Sequence, residues 1–265
     1  MRQRRGFTLV ELAIVLVIIG LLIGGILAAQ SMISTAKINA QVQQIGQFDA
    51  MVLNFKTQYN YLPGDAPAFG GDGDGVVELT ATSGWDNDIQ TFLGEIGNFW
   101  HDLDSTQFPG TVPFVQPGAT PNSSGSSKNV PASKMGANGA FFIASALGIT
   151  ASTADTANPR NFYAILDRSQ AQALSPWGWY SFSPTTSINS AGKAVDLLAL
   201  DEKIDDGLAN SGNVLSGAIG TNSLIGGIIA TPLASCSSGS TYVVANSGYE
   251  CTPLIRIGGS VGFPQ

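Results

Sequence analysis

Few side chains in this sequence are arranged for chemistry. His101, the single histidine, directly follows Trp100. A lone histidine beside an aromatic reads as structural, and nothing near it resembles the nucleophile elbow that a Ser-His-Asp set needs. No Gly-x-x-x-x-Gly-Lys loop is present to cradle a nucleotide phosphate. The chain has 19 acidic residues, too many for any two to mark a general acid–base pair. The expectation is a protein that is not an enzyme and requires no cofactor. One cation site stands out in Gly70-Gly71-Asp72-Gly73-Asp74-Gly75. Alternating Asp and Gly puts two carboxylates on one side of a tight loop, and Glu78 can add a third. Hard cations such as Ca²⁺ seek several close oxygens. The twelfth-position Glu of an EF-hand is missing, so the alternatives are a calcium loop through Asp72, Asp74 and Glu78 or a solvated glycine turn.

Composition narrows the class. The chain has 265 residues, 44% hydrophobic but only 12% charged, against about 25% charged in ordinary soluble domains. It is long enough to bury a core. Its 32 Gly and 13 Pro predict extensive loops around ordered structure. A net charge of −7 argues against nucleic-acid binding, which calls for a basic face. Nine acids fall between Lys56 and Lys128 without an intervening base, and they read as a solubilising acidic face or a cation site.

These groups must be positioned by elements, and the first element is the most distinctive. Arg2, Arg4 and Arg5 form a basic cluster, and Phe7–Ala29 is almost wholly apolar, with no charge from Leu12 to Ala29. About twenty helical residues cross a bilayer core. The basic flank should stay in the cytoplasm, with the remainder exported. A cleavable secretory signal would be shorter, and it would not hold an acid at Glu11. A carboxylate at membrane depth costs at least ~2.5 kcal/mol and reads as functional.

Arg5-Gly6-Phe7-Thr8-Leu9-Val10-Glu11-Leu12 resembles the processing site of type IV pilins and type II secretion pseudopilins. The resemblance implies cleavage between Gly6 and Phe7 by a prepilin peptidase, followed by N-methylation of Phe7. The apolar run would be retained as a filament core. The mature chain would lose six residues and three arginines, leaving 265 − 6 = 259 residues and a charge of −7 − 3 = −10. The new Phe7 amine would need a partner among packed apolar helices, and Glu11, one helical turn along, can supply it within one chain or between neighbours. Loss of one member of such a buried pair costs about 3–5 kcal/mol, so the pair would set subunit register. Gly20 and Gly24 form a small-xxx-small pair for close helix approach. Many members of the family carry Pro at the position of Ala28. This chain does not, so local unwinding would rely on Gly24 and Gly25.

Beyond the membrane, Ile38, Ile45, Val52 and Tyr59 recur every seven residues, as do Phe48, Phe55 and Leu62 with an offset of three. They form one apolar stripe that ends at Pro63. The expected fold is α+β, with one long helix packed on a C-terminal head of antiparallel sheet and long loops. Its parts are a cleaved leader at 1–6, a transmembrane or filament-core helix at 7–29, an amphipathic stalk at 30–60 and a periplasmic or extracellular head at 61–265. Tyr61-Leu62-Pro63-Gly64-Asp65 reads as a type II turn. Helices are expected at 88–104 and 193–206, strand or core segments at 138–147 and 160–166, and a long loop at 105–138. Trp177-Gly178-Trp179-Tyr180 forms an aromatic cluster, for which the alternatives are a sugar or partner site and, as expected here, burial in the head. The Leu62–Asp65 turn, the Glu95–His101 helix and Asp201–Gly207 also resemble motifs of a pilin-like subgroup. The acids of the last segment can ligate calcium, as in some pseudopilins, or cap turn amides, and Gly207 suits a helix C-cap. Cys236 and Cys251 flank an expected hairpin of Thr241–Ala245 with Thr252–Ile257. In an exported domain they read as a disulfide. The resemblance implies sister subunits, a prepilin peptidase, an inner-membrane assembly platform and the membrane as partners.

Overall fold

The computed structural model describes residues 8–77, 131–135, 139–145, 161–167, 172–173, 180–181, 192–217, 236–249 and 251–259, with Glu95, Phe99, Trp100, Asp102, Leu103 and Thr106. Gly6, Phe7, Glu78, His101, residues 107–130 of the expected loop and Trp177–Trp179 lie outside the described residues.

Helix α1 runs from Leu9 to Tyr59, 51 residues, or about 77 Å at ~1.5 Å per residue. It starts on a capping box, in which the Thr8 side chain accepts from the Glu11 N–H while the Glu11 carboxylate accepts from the Thr8 N–H. It stops where Asn60 turns left-handed (φ 65°), and the Asn60 N–H closes on the Lys56 carbonyl. Three residues on, the Pro63-Gly64 turn has the positive φ that the sequence predicts (85° at Gly64). A Cβ there would sit 2.3 Å from the Glu95 carbonyl oxygen, so only glycine lets these backbones meet.

The sharpest division in α1 lies at Ile38, the first buried residue among the described side chains. The described side chains from Leu9 to Lys37 are all exposed, although most of that stretch is apolar. Past that point the seven-residue stripe goes inward. Ile38, Ile45, Phe48, Met51, Val52 and Phe55 are buried, and Tyr59 is partly covered by Phe55 and Phe69. Phe48 meets Trp100 and Phe141 edge-on at ring-centroid distances of 4.9 and 5.0 Å. Trp100 stacks on Tyr163 at 6.0 Å. Edge-to-face and offset stacking suit the ring quadrupoles and add to the area buried.

The head is built on a four-stranded antiparallel sheet, ordered β1 (Gly139–Ser145), β2 (Asn161–Asp167), β8 (Thr252–Arg256) and β5 (Val214–Gly217). Gly139 pairs with Asp167, Ala164 with Leu254 and Val214 with Ile255. Helix α2 (Ala194–Ile204) packs against α1 and β5. Two short ribbons complete the set, β3 (Gln172–Ala173) with β4 (Tyr180–Ser181), and β6 (Ser237–Ser238) with β7 (Thr241–Tyr242). The α+β expectation holds, as does the helix near 193–206, and of the two alternatives for 138–147 and 160–166 the structure has strands. The described residues between Glu95 and Thr106 are helical.

One expected pairing is replaced. Thr241 does not pair with the 252–257 strand, because β7 turns back on β6 and β8 inserts between β2 and β5. Leu254 and Ile255 point to opposite sides of β8 and are both fully buried. A central position covers both, whereas an isolated hairpin would leave one in water. Cys236 and Cys251 are disulfide-bonded with Cα atoms 5.2 Å apart, which joins the β6–β7 ribbon to the start of β8.

Candidate functional site

The N-terminal site rests on the first turn of α1. Both the backbone N–H and the hydroxyl of Thr8 donate to Glu11 Oε2, at 2.8 and 2.9 Å. The carboxylate therefore stands at the positive end of the helix, within one turn of the Gly6–Phe7 junction. Helix N-termini favour negative charge. The Thr8-x-x-Glu11 spacing that forms this box is visible in the sequence but is easily absorbed into the apolar run that surrounds it.

Gly20, Gly24 and Gly25 lie in the exposed stretch of α1. A Cβ at any of them would meet no described atom within 4 Å. Each glycine in a helix interior costs about 1 kcal/mol against alanine. Packing against the described residues gives no return for that cost.

Three of the described acids in the acid-rich stretch are not solvated. Asp65, Glu95 and Asp102 are buried and organise backbone. Asp65 accepts from the N–H groups of Gly73 and Gly75 at 2.9 and 3.2 Å, Glu95 accepts from Asp72 N–H at 2.9 Å, and Asp102 accepts from Gly64 N–H at 2.8 Å. Asn161 of β2 pins the same loop, accepting from Val77 N–H and donating to the Gly75 carbonyl. Burial, with Asp74 and Asp72 nearby, outweighs the two amide contacts and pushes the Asp65 carboxyl up to about 6. Carboxylate oxygens of Asp65, Asp72 and Glu95 lie within 4.8 Å of one another. Asp72 thus groups with Asp65 and Glu95. Asp74 accepts from the Val76 N–H in a local turn, and Glu78 lies outside the described residues.

A second acidic group closes the end of α2. One carboxylate oxygen from each of Asp201, Asp205 and Asp206 lies within 4.8 Å of the others. Asp201 is fully buried, and its Oδ2 accepts from the Tyr242 hydroxyl at 2.8 Å. Asp205 is the C-cap residue and accepts from Asn213 N–H, while Asp206 accepts from Leu208 N–H and Ser211 hydroxyl. The sequence places Gly207 at the helix cap, but it sits two residues past it with φ 75°.

Other buried polar anchors carry no sequence signature. Gln41 of α1 accepts through one oxygen from Ser133 hydroxyl and from the Lys134 and Met135 amides. Asp49 accepts from Gly258 N–H. Both join the stalk to segments more than ninety residues away, so local pattern cannot identify them.

Comparison with known proteins gives one positive result. Residues 1–27 match the prokaryotic N-terminal methylation motif, spanning the basic cluster, the Gly6–Phe7 junction, Glu11 and most of the apolar run. No curated protein and no solved structure matches the chain. Helix α1 contains a segment long and apolar enough to cross a membrane, with its side chains uncovered by the rest of the chain. By its first 27 residues, the chain carries the signature of type IV pilin and pseudopilin precursors.

Proposed function

We propose that this protein is a pilin-like structural subunit, processed by a prepilin peptidase between Gly6 and Phe7 and methylated at Phe7. It is held in the inner membrane by residues 7–29, with a cytoplasmic N-terminus and a periplasmic head. It then assembles with sister subunits on a membrane platform into a type IV pilus or type II secretion pseudopilus filament. The observation that carries this reading is the methylation motif leading into an apolar helix segment that its own head leaves exposed up to Lys37. Such a surface is stable first in lipid and then among copies of itself. A simple membrane anchor would explain the apolar length. It gives no reason for a Gly-Phe junction followed by a carboxylate, or for three helix glycines that meet no described atom of their own chain.

Mass spectrometry of the native protein tests the first step. The expected N-terminus is methylated Phe7. An intact leader in cells with active prepilin peptidase, or cleavage after Ala29, would refute it. Sheared-filament preparations test the second step, with the full-length apolar helix expected in the filament fraction. Retention of the processed chain in membranes under conditions where filaments form would favour a non-polymerising anchored binding domain.

A further inference from the structure

The first turn of α2 meets α1 just past the apolar run. The Ser34 hydroxyl reaches the Asp196 carboxylate at 3.5 Å. That contact lies closer to the apolar run than the anchors at Gln41, Gln44 and Asp49. Ser34 follows Ala29 by five positions, about 8 Å along a helix that rises 1.5 Å per residue. The interfacial layer of a bilayer is about 5–8 Å thick on each side of the hydrocarbon. With residues 7–29 across the bilayer, the start of α2 therefore stands at the outer edge of the headgroups.

The side chains around that turn suit such a boundary. Val195 and Tyr249 are exposed although one is aliphatic and the other aromatic. Gly192 pairs with Cys251, which brings the segment ahead of α2 beside the one that carries Tyr249, and the Lys193 ammonium lies 5.0 Å from the Tyr249 ring centroid. A tyrosine ring favours the membrane–water boundary because its body is apolar and its hydroxyl is wet. A lysine lays its stem along an apolar surface while its ammonium reaches a polar group. Lys37 is exposed on α1, one turn past Ser34. Lys193 is also the N-cap residue of α2, and no side chain caps the amides that follow. A cation at the positive end of a helix is unfavourable, and an external phosphate offsets the ammonium and the helix end together. Asp196 is the opposing charge in this turn, and it faces Ser34.

We infer that Lys193, Val195 and Tyr249 form a docking face for the phospholipid headgroups of the bilayer that α1 spans, with Lys37 as a second cation. The inference rests on the reading of residues 7–29 as membrane-spanning. Val195 and the Tyr249 ring enter the interfacial layer, and Lys193 pairs with lipid phosphate. The contact seats the head on the bilayer and limits its tilt before assembly. It depends on few side chains, so it releases when the subunit leaves the membrane.

The test uses the full chain reconstituted in vesicles of phosphatidylcholine and phosphatidylglycerol. Val195→Cys, Leu53→Cys and Ile18→Cys each introduce one thiol for a fluorescent label, since the native cysteines are bonded to each other. A nitroxide on the lipid headgroup should quench the label at position 195. It should not quench the label at position 53, which is exposed on α1 about 29 Å beyond Ser34. Lys193→Gln should lower the ratio of docked to undocked heads about fivefold, the effect of one lysine at an anionic lipid surface. Tyr249→Ser should lower it too, and so should raised salt, which screens the exposed charges. A nitroxide on the acyl chain should quench the label at position 18 in every variant. While that label stays quenched, an unquenched label at 195, equal quenching at 195 and 53, or quenching unchanged by Lys193→Gln would each overturn the docking face alone. Loss of quenching at 18 would overturn the membrane-spanning reading and the docking face with it.

Discussion

Glu11 carries the most specific expectation at the scale of one residue. In the single chain its carboxylate caps Thr8. After cleavage, a new ammonium at Phe7 would appear one residue before that cap, and the same oxygens can receive it from their own chain or from a neighbour. Glu11→Gln keeps the size and one acceptor oxygen but removes the charge. Membrane insertion and leader cleavage should proceed, since neither depends on the pair. Incorporation into sheared filaments should fall severely, because a buried ammonium left without its partner costs about 3–5 kcal/mol. Wild-type incorporation would eliminate charge pairing as the register device. A failure of insertion would assign Glu11 to an earlier step.

Among the elements, the loop from Asp65 to Val77 shows how buried acids replace regular structure. Asp65 holds two amides of a glycine-rich segment that makes no strand or helix hydrogen bonds of its own after Gly71. The same burial, reinforced by Asp74 and Asp72, raises its carboxyl to about 6, and Glu95 faces it from the neighbouring helical segment. A carboxyl whose folded value is raised binds its proton more tightly in the folded state. Its stabilising contribution is full below the unfolded value near 4 and is lost as pH rises through about 6. The unfolding temperature of the full chain should therefore be higher at pH 5 than at pH 8 as far as Asp65 contributes. Asp65→Asn should be less stable, having lost one acceptor, and should show a shallower pH dependence than wild type in the same buffer. Equal slopes for the two proteins would contradict the shifted carboxyl. At this scale α1 is also two helices in one, exposed and apolar before Ile38 and packed on the head after it, without a break in hydrogen bonding.

For the whole molecule, the Cys236–Cys251 bond closes a loop with a sequence separation of 15 between the ribbon and the central strand. In the loop-entropy view, a closure of that length stabilises by about 3 kcal/mol. Thiol labelling of unreduced, denatured protein should find no free cysteine. Reduction, or replacement of both cysteines by serine, should lower the unfolding temperature of the head by about 6–12 °C without altering the apolar half of α1. Stoichiometric labelling of the native protein would reject the bridge, and an unchanged melt after reduction would show that β8 is held by its neighbours alone.

What the sequence determined by itself was local or periodic. The Gly6-Phe7-to-Glu11 spacing, the apolar run, the stripe from Ile38 to Phe55 and the Pro63-Gly64 turn each act within a few residues, so they are legible in order along the chain. The cysteine pair was legible because the chain has only two. Tertiary structure alone decided where β8 goes, since a strand buried on both faces has the same composition whether its neighbours are near or far in sequence. It also separated the acids. Asp65, Glu95 and Asp102 are organisers of backbone turns, whereas Asp201 receives the Tyr242 hydroxyl from the β6–β7 ribbon. Asp, Gly and Glu read alike in either role. The difference lies in which amides reach each carboxylate, and those amides come from segments that only folding brings together.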